Sequence, residues 1–138
     1  MRVSAKVDYA LRAMTELAAA GEGQVKGERL SQAQGIPLKF LENILLELRH
    51  AGLVASQRGA EGGYRLARPA AEISVADVIR AVEGPIASVR GVRPEHLEYV
   101  GAARSLSELW LDLRTSMRGV LEQTTLADLV RRSDGEDA

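Results

Sequence analysis

The sequence predicts a mainly α-helical fold carrying one small β-hairpin, and three observations predict it. Apolar residues recur at three- and four-residue spacing over most of the chain. That period gives way to short extended stretches only around a glycine cluster at residues 59–63. Helical spacing then resumes and ends in a long stretch that steps by four and three residues in turn. A chain of 138 residues suffices for one ordinary domain with attachments, and 46% hydrophobic against 27% charged residues places it among globular proteins.

In the first segment Val3, Val7, Ala10, Leu11, Met14, Leu17 and Ala18 line one face of a helix that Gly21 and Gly23 end. Residues 27–34 read as a short second helix, halted by Gly35, Ile36 and Pro37. A third helix follows with Pro37 in its first turn, where the missing N–H costs nothing, and with Leu41, Ile44, Leu45 and Leu48 as its apolar stripe up to Gly52. Residues 53–58 and 63–67 alternate as strands about a Gly-Ala-Glu-Gly tip. Helix, turn, helix and hairpin in that order outline a winged helix-turn-helix.

Ser74 and Asp77 have the spacing of a capping box, opening a fourth helix along Val75, Val78, Ile79 and Val82 that is expected to pack on the wing. From residue 86 to 104 periodicity is lost and a loop is expected. Ser105 and Glu108 suggest a second capping box and a long helix running to Gln123. Along it Leu106, Trp110, Leu113, Met117 and Val120 form a 3.5-residue seam, which predicts a second copy of the chain as its partner. Thr124 or Thr125 caps a last short helix. The expected division is a DNA-binding unit at 1–84, an effector or regulatory loop at 85–104, a dimerisation helix with its short successor at 105–132, and a fraying tail at 133–138.

The chain has no cysteine, which excludes disulfides, thiolate metal sites and thiol catalysis. No apolar run approaches the ~18 residues of a membrane span and no secretory h-region opens the chain, so a cytoplasmic location without membrane contact is expected. Only His50 and His96 are present, with no phosphate-binding glycine motif, and an enzyme is not expected. His96 beside Glu95 and Glu98 falls short of the N and S ligands that zinc wants, so no cofactor is expected. Net charge is −1 but unevenly spread: residues 1–68 hold 10 Lys and Arg against 7 Asp and Glu, and residues 69–138 hold 8 against 12. The front half is mildly basic.

Lys39, Phe40, Glu42 and Asn43 lie opposite the apolar stripe of the third helix, near the end that enters a major groove. These types suit base edges: Lys bonds guanine, Asn pairs bidentately with adenine, Glu accepts from cytosine and an aromatic edge meets the thymine methyl. In the hairpin, Arg58 precedes Gly59, Gly62 and Gly63, so the backbone is expected to approach a sugar-phosphate wall while the guanidinium enters a minor groove. Tyr64 and Arg65 either support the wing or touch phosphate. Arg2, Ser4 and Lys6 at the front of the first helix are candidate phosphate contacts. Double-stranded DNA is thus the expected partner. A winged helix used for protein contact alone is the alternative, and steep loss of binding with salt separates the two.

The stretches MRVSAKVDYALRAM, GIPLKFLENILLELRHAGLVASQRGAEGGYRLARP, ISVADVIRAVEGPIASV and the tail VLEQTTLADLV together resemble the BadM/Rrf family of bacterial winged-helix regulators, the group of IscR, NsrR and CymR. The resemblance runs nearly end to end. It implies a homodimer crossed through the long helix and binding pseudo-palindromic promoter DNA. It also implies base reading by Lys39, Phe40, Glu42 and Asn43 and wing insertion by Arg58. Pro37 and Lys39 stand where members often have small hydroxyl residues. Cluster-binding members carry three cysteines before the long helix; here that stretch has none, Gly91 lies about where the first would be, and Asp8, where some members supply a cluster ligand, reads as an exposed or polar-contact residue. The cysteine-free, CymR-like branch is the nearer match. It implies repression of cysteine and sulfur metabolism, signalled through a regulatory partner protein or small effector.

Overall fold

The computed structural model describes the backbone of residues 1–136 and the side chains of 1–135. Helix α1 (Ala5–Ala19) starts at Ser4, whose hydroxyl accepts from the Val7 N–H at 3.1 Å. It buries Val7, Ala10, Ala13, Met14 and Leu17 and forms the spine of the core. Helices α2 (Gly27–Gln34) and α3 (Leu38–His50) are joined through Gly35, which holds the left-handed φ of 64° that a β-carbon disfavours. Pro37 stands just before the first turn of α3, in the capping position but without a side-chain cap, rather than inside that turn. Leu41, Ile44, Leu45 and Leu48 point into the core, as their spacing predicts.

Strands β1 (Val54–Gln57) and β2 (Gly63–Leu66) pair antiparallel, with Val54 opposite Leu66 and Gln57 opposite Gly63. Val25, in the link before α2, adds a bridge to Tyr64 through two 2.8 Å backbone hydrogen bonds. Helix α4 (Val75–Glu83) opens on the reciprocal Ser74–Asp77 capping box that the sequence predicts. It packs against α1 and α3 instead of the wing. Its apolar face is as expected; periodicity identifies a buried face and leaves open which neighbour covers it.

Residues 86–104 are not shapeless. Val89 and Val92 exchange backbone hydrogen bonds across a tight turn at Arg90 and Gly91, two 3-10 turns follow at Pro94–His96 and Gly101–Ala103, and Ile86, Pro94 and Leu97 are buried. Helix α5 (Leu106–Leu121) has 16 residues, about 24 Å at 1.5 Å per residue. The Ser105–Glu108 capping box does not form: Ser105 is already in the helical region and its side chain caps nothing, because the preceding 3-10 turn leads straight into the helix.

Thr125 caps the last helix, α6 (Leu126–Arg131), in a reciprocal box with Asp128. The backbone hydrogen bond from Thr125, then the Arg131 guanidinium, holds the Asp128 carboxyl below its ordinary value. This helix returns to the front of the molecule. Leu126 is fully buried in the same core as α1, its N–H bonds the Ile73 carbonyl at 3.0 Å, and Val75 donates to the Thr124 carbonyl at 2.8 Å. A π-turn at Arg132–Glu136 follows, with Gly135 in the left-handed region. The fraying expected of 133–138 concerns in part residues 137–138, outside the described residues.

Candidate nucleic-acid interface

Lys39, Phe40, Glu42 and Asn43 are all exposed on the N-terminal half of α3. Neither α2 nor α3 has a side-chain cap, since Lys26 and Pro37 occupy the capping positions. The first N–H groups of both helices therefore lack a side-chain acceptor, and the positive ends of their dipoles favour an anion. The turn between the helices is pinned by α1, where Arg12 donates to the Gln34 carbonyl at 2.7 Å.

Phe40 is not a free aromatic. Its ring meets Tyr9 edge-on at 5.6 Å, and the Arg12 guanidinium stands over the Tyr9 ring at 4.8 Å. Asp8 pairs with Arg12 at 3.0 Å, which is the polar contact the sequence allows for it. Tyr9 and Arg12 thus brace the exposed face of α3, a contact missing from the sequence reading although the Asp8–Arg12 spacing of four is visible there.

On the wing, Arg58 follows β1 directly and is exposed, as is Arg65 on β2. Among the described residues, Arg2, Lys39, Arg58 and Arg65 make no ion pair. Glu61 is exposed at the tip, so the wing's positive charge rests on its two arginines. Lys26 donates to the Gly59 carbonyl at 2.8 Å and the Gln24 amide bonds Gln57, which ties the hairpin to the link before α2. These two braces also escape sequence reading, because no local period marks them.

The glycines serve two different ends. Gly59 is exposed, with open space where a β-carbon would stand. Gly62 and Gly63 are buried, and their missing side chains serve packing within the chain. A β-carbon on Gly62 would lie 2.1 Å from the Gln57 carbonyl oxygen, and one on Gly63 2.7 Å from that of Val25. Backbone approach to DNA therefore does not explain these two, a correction to the sequence-level rationale. Tyr64 is half-buried against the core and lies beside Gly27, so it supports the wing.

Of the three residues at the front of α1, Arg2 alone is uncommitted. The Ser4 hydroxyl caps α1 and donates to Glu83 at 2.5 Å, and Lys6 pairs with Glu47 at 2.9 Å. Along α5 no residue is buried. Trp110, Leu113 and Met117 are half-covered by their own chain, and the Trp110 indole donates to the Tyr99 hydroxyl at 2.9 Å. Leu106, Leu109 and Val120 are 36%, 52% and 65% exposed, and Leu109 joins the exposed apolar face although the heptad reading passes over it.

Residues 3–132 match the Rrf2 family, described as an iron-dependent transcriptional regulator. An HTH-type transcriptional regulator of Mycobacterium tuberculosis H37Rv is 55% identical over 130 residues, covering 94% of this chain and 81% of that protein. The solved structure of CymR, the global cysteine regulator of Bacillus subtilis, is 38% identical with a TM-score of 0.81, covering 96% of this chain and 98% of that one. The structure of T. potens IscR is 36% identical with a TM-score of 0.79, covering 96% and 88%. The donor set here does not fit an iron–sulfur cluster, because the chain offers no thiolate. Nor, among the described residues, do three or more His, Asp or Glu side chains gather as metal ligands. Among the described residues, no helix is long and apolar enough to cross a membrane. With its winged helix-turn-helix, its uncapped α3 and its agreement over almost its whole length, the chain belongs to the Rrf2 family of DNA-binding transcriptional regulators.

Proposed function

We propose that this chain represses genes of cysteine and sulfur metabolism as a homodimer, reading pseudo-palindromic promoter DNA with α3 and the wing. The observation that carries the reading is the bracing of two polar elements into one body. The exposed Lys39, Phe40, Glu42 and Asn43 of α3 and the unpaired Arg58 of the wing are held through Arg12, Tyr9, Val25 and Lys26. Lys39, Glu42 and Asn43 read bases, Phe40 offers a ring edge to a thymine methyl, and Arg58 enters the minor groove with Arg65 near phosphate. Gly59 allows the tip to approach the backbone, and Arg2 is the best-placed phosphate contact of the α1 front. The sulfur assignment is supported by likeness to the cysteine regulator of B. subtilis and by the lack of cluster ligands. An effector or partner protein would act through the 85–104 region, and the expected location is the cytoplasm.

Titration of the purified chain against its own upstream region and a sulfur-assimilation promoter, at two salt concentrations with scrambled DNA as control, tests this. Specific binding that weakens with salt is expected. Arg58→Ala should cost about 1–3 kcal/mol of operator affinity. Absence of salt-sensitive DNA binding would move the function to a protein partner. Equal binding to scrambled DNA would remove the sequence-reading role of α3, and binding confined to the upstream region would remove the sulfur assignment.

The homodimer draws on the exposed Leu106, Leu109 and Val120, with Trp110, Leu113 and Met117 half-covered beside them. A charge placed in that face is desolvated when a second copy covers it, so Leu109→Glu should weaken the dimer by about tenfold or more, as a buried interfacial charge without a built partner does. Sedimentation across a concentration series reads it. An unchanged dimer would place the interface elsewhere.

A further inference from the structure

We infer that a cavity of about 290 Å³ between α4, the 86–93 turn and α5 is a binding site for a small dianionic phosphate group. It goes beyond the DNA-reading function, since none of its residues belongs to the helix-turn-helix or the wing. Four arginines line it: Arg80 from α4, Arg93 from the loop, and Arg114 and Arg118 from α5. The turn at Gly84, Pro85 and Ile86 completes the lining, and no acidic residue belongs to it.

The charges do not balance. Arg80 pairs with Glu122 at 2.5 Å and Arg114 with Glu95, whereas Arg93 and Arg118 make no ion pair among the described residues. Glu95 stays ionised at neutral pH, because a backbone hydrogen bond, then Arg114, hold its carboxyl below the ordinary value. Two positive charges are left over, the complement of a phosphate dianion. Guanidinium forks match the paired oxygens of that group.

A helix C-terminus favours a cation. Arg118, like Arg80, stands in the last turn of its helix and Arg114 pairs with Glu95, but these separate reasons leave Arg93 and the convergence of all four on one cavity unexplained. Arg114 and Arg118 stand four apart on one helix, a like-charge spacing that disfavours the helix on its own. Arg114 is held there with only 16% of its side chain exposed, beside the buried Ile86, where repulsion between guanidiniums is screened less than at the open surface. A bound dianion reverses the sign of that cost. It would also join α4 to α5 across the loop.

The test is calorimetric titration of the full chain, without DNA, using inorganic phosphate and glycerol 3-phosphate at constant ionic strength in sodium chloride. Failure here is thus separate from failure of the regulator reading. Saturable binding of at least one is expected. Preference for the monoester marks a phosphorylated metabolite, and preference for the inorganic ion a free anion. Removing two charge-assisted partners in an Arg93→Gln, Arg118→Gln variant should weaken binding by about tenfold or more. Both side chains lack ion pairs, and circular dichroism checks the fold; Arg93→Gln alone serves if the double variant is unstable. No saturable binding by the wild-type chain, or equal binding by the folded variant, overturns the proposal. So does a variant that only loosens the dimer, which would give the arginines to a second copy.

Discussion

Replacing Gly63 by alanine is expected to lower unfolding stability by about 2–4 kcal/mol, at the upper end for a single substitution, and to loosen the wing with it. The added carbon would sit 2.7 Å from the Val25 carbonyl oxygen and 2.8 Å from its carbon, with φ at +145°. Both obstacles are backbone, so neither can swing aside as a flexible side chain would. Relief requires the hairpin to move off Val25, breaking the two hydrogen bonds between Val25 and Tyr64. Gly59→Ala is the control. It adds its carbon in open space and bears only the cost of φ +98°, about 1 kcal/mol. Urea unfolding of the two variants should separate them clearly; equal losses would mean that turn conformation, and not contact with Val25, governs the wing.

Leu126→Ala is expected to cost about 2–5 kcal/mol, the range for emptying a fully buried leucine site. Its position near the end of the sequence suggests a dispensable appendage. Its surroundings say otherwise, because α6 packs on α1 and on the turn before α4, and Leu126 shares one cluster with Met14, Leu17 and Ile73. Thermal unfolding should show a single transition moved to lower temperature. An early separate transition with the main one unmoved would mean that α6 docks without supporting the winged helix.

Particular residues show what the sequence discloses. Leu41, Ile44, Leu45 and Leu48 announce the buried side of α3 because a helix repeats every 3.6 residues and a single local period carries the information. Ser74 with Asp77 and Thr125 with Asp128 announce two helix starts for the same local reason. The identical spacing at Ser105 and Glu108 misleads, since a box needs an extended capping residue and the 3-10 turn before it makes Ser105 helical. Partners across distance are harder to see. Nothing in the pattern of α4 distinguishes the wing from α1 and α3 as its cover, and nothing near Lys6 or Ser4 foretells Glu47 or Glu83. At the interface, residue types and helical face identify Lys39, Phe40, Glu42 and Asn43 as exposed candidates, whereas Tyr9, Arg12, Gln24 and Lys26 emerge as braces only once the chain is folded.

If the proposed dimer forms through α5, the lack of any buried side chain on that helix would tie the protein's architecture to its abundance. A 16-residue helix gains little from intrinsic propensity in water and relies on what covers its apolar face. Within one protomer that cover is partial, so with the proposed second copy the rest arrives by mass action. The melting temperature then climbs with total protein, and dilution loosens the long helix before it reaches the core around Met14 and Leu126. Scarcity itself would become a signal: as expression falls, the number of chains with a fully ordered α5 falls faster than the total number of chains.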